Sequence, residues 1–350
     1  MTEYSLESLG WTPALMQSLD LDQETPGDVA RISAVHRDSY EALTAMGRLR
    51  LRTMPPATPP GERPTVGDWI IIDAALERPC RVLPRRSLFA RKAPGALAER
   101  QLIAANVDVA FLVSSCNHDF NPARLERYLS LTREAGAYPV ILLTKADQTD
   151  EPGGFIGAAQ AIASDCPIEA LNALEPDETR RLRDWIGAHQ TVACLGSSGV
   201  GKTTLLNALT GGSDAVAGIR NDDSKGRHTT RARSMHRLPG GGWAIDLPGM
   251  RELALAGTSD GVDATFADIV DLANDCRFRD CQHESEPGCA VSAAIRSGNL
   301  PESRLERFRK LQREIYRNNA TLAEKRASDK ALGKLYKNVQ TARNARRDAE

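Results

Sequence analysis

The stretch Gly196-Ser197-Ser198-Gly199-Val200-Gly201-Lys202-Thr203 leaves this chain few ways to fold. It fits G-x-x-x-x-G-K-[ST] in full. Such a loop works between a buried strand and the first turn of a helix, where backbone N–H groups converge on phosphate oxygens and the helix dipole favours an anion. The flanking residues supply both partners. Residues 191–195 are a short apolar strand, and 203–209 begin with helical spacing. The octet therefore predicts an α/β unit with a phosphate site at a strand end. Lys202 is expected on the β/γ-phosphates, the Thr203 hydroxyl on Mg²⁺, and Thr204 beside them in the first helical turn.

Two further motifs stand at strand ends. Thr144-Lys145-Ala146-Asp147 follows the apolar run 140–143 and looks like the [NT]-K-x-D element with which GTPases read guanine through a carboxylate. Asp246-Leu247-Pro248-Gly249 follows the strand 243–245 and matches D-x-x-G. There the carboxylate of Asp246 would orient a Mg²⁺-bound water, and the Gly249 N–H would meet the γ-phosphate. In an ordinary GTPase the guanine element follows the phosphate loop; here it precedes it by about fifty residues. A strand at 107–113 and a helix at 122–134 lead into the strand 140–143. The chain therefore reads as a circularly permuted GTPase, recut just after 246–249. Alternation of strand and helix predicts a parallel sheet covered on both faces, with ligands at the carboxyl ends of its strands. A rearrangement of the 246–249 loop on hydrolysis would pass directly into the C-terminal segment.

Catalysis is less completely specified. Met250 occupies the position where Ras-like enzymes place a water-orienting Gln, and a thioether cannot orient water. Gly226-Arg227-His228-Thr229-Thr230 has the character of a switch segment. Thr229 or Thr230 is expected on Mg²⁺, His228 is a candidate for positioning the attacking water, and Arg227 for offsetting phosphate charge.

On either side of this unit the texture differs. Residues 28–95 hold short strands at 29–35, 47–52 and 68–73 separated by turn-rich segments, as in a small β-barrel of the OB type. Arg48, Arg50 and Arg52 alternate along one strand and so share a face; Arg81, Arg85, Arg86, Arg91 and Lys92 follow. A barrel with a basic face can track a nucleic-acid backbone. The chain becomes helical from about residue 260. Its last 48 residues, 303–350, carry fourteen Lys/Arg against six Asp/Glu. The expected organisation is a leader (1–27) with an amphipathic piece at 6–21, a barrel (28–95), the permuted GTPase unit (96–257), a metal-binding unit (258–325) and a basic helical tail (326–350).

Of seven cysteines, Cys80, Cys116, Cys166 and Cys194 are scattered and read as reduced core thiols. Cys276, Cys281, His283 and Cys289 cluster within fourteen residues. Three thiolates and an imidazole form a closed tetrahedral set suited to one structural Zn²⁺. Net charge is −1 and no apolar run has the length of a membrane span, so a cytoplasmic, membrane-free and monomeric protein is expected.

The order barrel, permuted GTPase, Cys₃His cluster resembles one family, the ribosome small subunit-dependent GTPases (RsgA/YjeQ). The resemblance covers about residues 28–325. It rests on Leu83-Pro84-Arg85-Arg86-Ser87, Gln101 with Ala105-Asn106-Val107-Asp108, Phe120-Asn121-Pro122, the three nucleotide motifs, 226–230 and the segments around the cysteines. It implies a GTPase acting late in assembly of the 30S subunit, bound to 16S rRNA and stimulated by the subunit. In that family the residue after D-x-P-G is hydrophobic, as Met250 is, and the histidine matching His228 is proposed to aid hydrolysis. Two positions depart from the pattern. Thr144 replaces the commoner Asn, and Leu171-Asn172-Ala173 stands where an S-A element usually backs the guanine. The competing readings are an RNA-binding assembly module that uses GTP only as a conformational switch, favoured by Met250, and an RNA-dependent ATPase, disfavoured by Asp147.

Overall fold

The computed structural model describes residues 4–20, 28–92, 100–212, 233–247 and 259–319. Helix α1 (Pro13–Gln17) is capped by the Thr12 hydroxyl; with a 3-10 turn at Glu7–Leu9 it replaces the single amphipathic piece expected over 6–21. Strands β1 (Val29–Val35), β2 (Ser39–Thr44), β3 (Gly47–Arg52), β4 (Trp69–Asp73) and β5 (Arg78–Val82) follow, and β6 (Leu88–Lys92) pairs with β7 (Arg100–Ala105) as a separate ribbon. The three strands expected here are present. β2 lacks alternation because both its faces are buried, and β5 carries Pro79 and two arginines, so neither has a strand signature. β1 is the keystone. One edge pairs with β2; the other pairs with β4 over Val29–Arg31 and then with β12 (Arg233–Arg237) at Ala34–Val35.

That last pairing joins the N-terminal strands to the nucleotide unit as one eleven-stranded sheet. The unit contains β8 (Val109–Ser115), α2 (Pro122–Ala135), β9 (Tyr138–Thr144), α3 (Pro152–Gln160), β10 (Ile168–Ala170), α4 (Pro176–Arg181), β11 (Thr191–Gly196), α5 (Lys202–Thr210), β12 and β13 (Trp243–Ile245). Strand order is β10-β9-β8-β11-β13-β12, with the first five parallel and β12 antiparallel. Alternate residues feed two cores. Ala110, Leu112, Ile141 and Leu195 pack on the α2 side, while Phe111, Val113, Leu142 and Cys194 pack with Leu205 and Leu209 of α5. Continuous apolar strands are what a sheet covered on both faces demands. Phe120-Asn121-Pro122 starts α2: the Asn121 side chain accepts from the Arg124 N–H and Pro122 takes the first helical position.

The C-terminal segment forms α6 (Asp260–Thr265), α7 (Ala267–Asn274), α8 (Ala290–Arg296) and α9 (Glu302–Asn319), with the cysteine cluster between α7 and α8. Cys116 and Cys194 are buried and Cys166 is half-buried. Cys80 is exposed on β5, contrary to the core position expected for it. No helix among the described residues is long and apolar enough to cross a membrane.

Two polar joints hold the parts together. At the first, Arg31 of β1 is fully buried. It donates to the carbonyls of Gly67, Leu9 and Asn106 and to the Thr191 hydroxyl at the head of β11, and lies over Trp69. Burial pulls its pKa down to about 10, with Asp108 opposing. Asn106, in left-handed backbone, returns its side-chain N–H₂ to Gly67 O and accepts from the Arg86 N–H. The leader closes over this joint: Trp243 Nε1 donates to Ser8 O, and Trp11 packs edge-on against Trp69. Several arginines expected to face RNA are spent here. Arg85 makes a bidentate pair with the fully buried Asp68, Arg86 pairs with Asp108, and Arg81 donates to Ser18 O. At the second joint the buried Glu126 of α2 receives Arg304 at 3.1 Å and Arg307 at 2.6 Å, both from α9. Arg304 also grips Asp268 and stacks over Phe266.

Candidate nucleotide site and metal cluster

β11 lies between β8 and β13, so its carboxyl end opens at the centre of the sheet. The loop leaves it hard against β8. A Cβ on Gly196 would stand 2.4 Å from the Val113 carbonyl oxygen, which only glycine permits. Gly201 ends the loop at φ 93°, a left-handed turn that aims the first N–H groups of α5 back into it. Lys202 folds over the loop and donates to Gly196 O at 2.7 Å and to Ser197 O. An ammonium has three donors, so one remains for a phosphate oxygen. Burial lowers the Lys202 pKa, and the charge of Asp246 opposes that. Asp246, half-buried at the end of β13, also contributes to raising Cys194 to about 12, behind burial as the larger cause. Val200 is buried beneath the loop, whereas Ser198, Gly199 and Thr203 are exposed at its mouth and Thr204 is half-buried.

Thr144 ends β9, which lies on the other side of β8 from β11, and is fully buried. Its hydroxyl contacts two main-chain carbonyls, Val200 O at 2.6 Å and Ser114 O at 3.0 Å. The element that precedes the loop in sequence is thus bonded to the loop itself. Lys145 then takes left-handed backbone (φ 58°), and a 3-10 turn at Ala146–Gln148 presents Asp147 exposed on the same side. The segment 171–173 lies alongside. Ala146 N donates to Leu171 O, and Asn172 is held by Glu178 at its N–H while its side chain accepts from Leu174 N. Gly226, Arg227, His228, Thr229, Thr230, Pro248, Gly249 and Met250 lie outside the described residues, as does the tail 326–350.

Two residues with no sequence signal join the site. Tyr128 of α2 places its hydroxyl 3.3 Å from Ser197 Oγ. On β12, His236 Nε2 bonds Ser234 Oγ at 2.9 Å; burial lowers its pKa while Asp246 pulls it back up and Arg48 pushes it further down. The β12–β13 register, extended one step, sets Ser234 opposite Asp246. A helical Tyr or a histidine in a polar strand carries no motif, so only the fold reveals either.

The ligand atoms of Cys276, Cys281, His283 and Cys289 all lie within 4.8 Å of one another, the one group of its kind among the described residues. Cys276 Sγ is 3.9 Å from Cys289 Sγ, and His283 Nδ1 is 3.6 Å and 3.5 Å from those two sulfurs. His283 reaches inward through left-handed backbone (φ 62°). Glu286, in the segment leading into Cys289 that carries the family resemblance, braces the turn by accepting from the N–H groups of Gln282, Glu284 and Ser285. The Cys289 sulfur caps α8 by accepting from Ser292 N, a position that favours a thiolate. These four residues could hold one metal ion.

A family model described as RsgA GTPase matches residues 82–256. The chain is 47% identical to "Small ribosomal subunit biogenesis GTPase RsgA 2" of Vibrio parahaemolyticus, across 99% of this chain and 96% of that one.

This chain belongs to the RsgA GTPase family.

The RsgA of Mesorhizobium japonicum is 43% identical over 94% of this chain and 95% of its own length. Among solved structures, YjeQ of Thermotoga maritima superposes with a TM-score of 0.61 at 23% identity, covering 83% of this chain and 98% of that one. YloQ, described as a circularly permuted GTPase, superposes at 0.58 and 21% identity, covering 83% and 96%. At such identities the likeness speaks to fold, and it agrees with the strand order above: the fold is that of a circularly permuted RsgA-type GTPase.

Proposed function

We propose that this RsgA-family protein hydrolyses GTP while bound to the small ribosomal subunit and assists a late step of that subunit's maturation. The observation that carries the nucleotide reading is the Thr144 hydroxyl on Val200 O at 2.6 Å. It ties the guanine-type motif to the phosphate loop despite their inverted order. Gly196, Ser197, Ser198, Gly199, Val200, Gly201, Lys202, Thr203 and Thr204 would cradle the phosphates. Lys145, Ala146 and Asp147 would take the base, with the Asp147 carboxylate on the guanine edge. Thr203, with Thr229 or Thr230, would hold the Mg²⁺ that accompanies GTP and offsets charge on the phosphates. Asp246 and Gly249 would face the γ-phosphate side. His228 is assigned the water, since Met250 cannot orient it.

The names of the relatives and the charge of the N-terminal strands support the ribosomal partner. Arg48, Arg50 and Arg52 are exposed along β3 at one edge of the sheet, and we assign residues 28–95 as an OB-type domain contacting 16S rRNA through that face. The cysteine cluster is assigned one structural Zn²⁺. A tetrahedral zinc with ordinary bond lengths sets sulfurs about 3.8 Å apart and sulfur from nitrogen about 3.5 Å; the 3.9, 3.6 and 3.5 Å separations among Cys276, His283 and Cys289 match those values, and the Cys281 sulfur lies within 4.8 Å of all three. Four protein ligands leave no open position, so the ion would hold residues 258–325 together rather than act on substrate. A ribosomal partner supports a cytoplasmic location, and we assign the protein as a monomer. GTP and ATP hydrolysis with and without purified 30S subunits tests the whole reading. GTP turnover stimulated by 30S, with ATP inert, is expected. Equal turnover with and without the subunit would overturn it, and GTP binding with no turnover in either case would favour the switch-only module.

A further inference from the structure

Helix α2 is clamped between two parts of the molecule. Two residues apart on a helix lie nearly on opposite sides. Accordingly Glu126 faces α9, where Arg304 and Arg307 hold it, and Tyr128 faces the phosphate loop. Both are buried, Tyr128 at 6% exposure. Further contacts fix the helix to the C-terminal unit: Arg127 pairs with Glu314 of α9, Arg133 donates to Ala264 O, and Gly261 of α6 sits so close that a Cβ there would meet Ser130 O at 2.3 Å. On the loop side the Tyr128 hydroxyl meets Ser197 Oγ in a space walled by Val113, Leu125 and Val200. Ser197 is also one of the two residues whose carbonyls hold the Lys202 ammonium.

From this geometry we infer that Tyr128 is a positioning residue for hydrolysis: its hydroxyl fixes Ser197, Ser197 aims Lys202, and the seating of the C-terminal unit on α2 sets where Tyr128 stands. The route to the C-terminal unit therefore runs through α2, in addition to the chain connection after residue 249. It makes the aim of Lys202 sensitive to whatever the C-terminal unit binds. The inference rests on Gly196–Thr203 being the phosphate loop.

The test uses the full-length protein, with GDP affinity and steady-state GTP hydrolysis measured in the presence of 30S subunits, well below each variant's thermal midpoint. Tyr128→Phe keeps the ring and its packing and removes only the hydroxyl. It should lower kcat by about three- to tenfold, the scale of one neutral hydrogen bond, while the Kd for GDP moves by less than about twofold. Ser197→Ala should do the same, and the double variant should be no slower than the slower single one. Arg307→Gln should lower kcat similarly in the wild-type background and have no further effect beside Tyr128→Phe. If Arg307→Gln does not fold, Arg127→Gln, which releases α9 at Glu314, takes its place. Unchanged kcat in Tyr128→Phe, multiplying effects of the Tyr128 and Ser197 changes, or GDP affinity falling as far as kcat would each overturn the inference. Wild-type protein that fails to bind GDP would instead remove the loop assignment beneath it.

Discussion

The phosphate loop and the cysteine cluster are both ligand sites made from one short stretch of chain, yet they are held in opposite ways. The loop is a backbone site. Its shape comes from Gly196 pressed on β8, Gly201 in a left-handed turn and a core of strands on both faces. Thr144 and Lys202 close onto its main-chain carbonyls. The cysteine cluster is a side-chain site. Between α7 and α8 the chain has turns and no strand, and what converges there is four ligand atoms. A backbone site survives without its ligand. A side-chain site spanning turns takes its order from the ion, because binding free energy there is folding free energy.

That contrast can be broken at either end. The largest effect is expected from chelation, or from Cys276→Ser. Structural zinc contributes on the order of 10 kcal/mol or more. The segment between α7 and α8 should therefore lose protection in hydrogen exchange, while GDP binding and the exchange of β8, β9 and β11 persist. Loss of both together would show that the nucleotide unit is not self-sufficient. Arg85→Ala comes next. It strands the buried Asp68, whose carboxyl burial already pushes up against the pull of Arg85. Breaking such a pair costs about 3–5 kcal/mol, and urea unfolding should show a loss of stability of that size with the cysteine cluster intact. An unchanged midpoint would mean that Asp68 finds water. Lys202→Ala should cut kcat by about 10²–10³, the scale of one donor lost from a charge-stabilising site, with thermal stability nearly unchanged. The smallest effect belongs to Thr144→Val, which retains shape and leaves the Val200 carbonyl unpaired. About 1–3 kcal/mol of stability should be lost, together with weaker GDP binding read by calorimetry. A neutral result would separate the base reader from the loop.

The same contrast decides what the sequence could reveal. The loop, Thr144–Asp147 and the apolar strands are legible because each is a local pattern: glycines where the backbone must turn, and unbroken hydrophobic runs where both faces are covered. The Cys₃His set is legible as a ligand count. The joints are not. Arg31 meets Thr191 across 160 positions, and Glu126 meets Arg307 across 181. No local pattern distinguishes an arginine that will be buried from one that will face RNA. Arg85 and Arg86 look like part of a basic surface in sequence and turn out to be mortar, whereas Arg48 and Arg52 remain outside. β12 escapes notice because Arg233, Ser234, His236 and Arg237 give it a polar composition, yet it joins the two halves of the eleven-stranded sheet. Tyr128 escapes because its role depends on α2 lying between the loop and the C-terminal unit.

In the proposed reading, two motifs in inverted order form one guanine site. Nucleotide competition with Asp147→Asn tests it most directly, since exchanging the carboxylate for an amide reverses the hydrogen-bonding partner presented to the base edge. This variant should lose GTP preference and gain xanthosine triphosphate, with the phosphate loop and Thr144 contact undisturbed. Unchanged GTP preference in Asp147→Asn would contradict it.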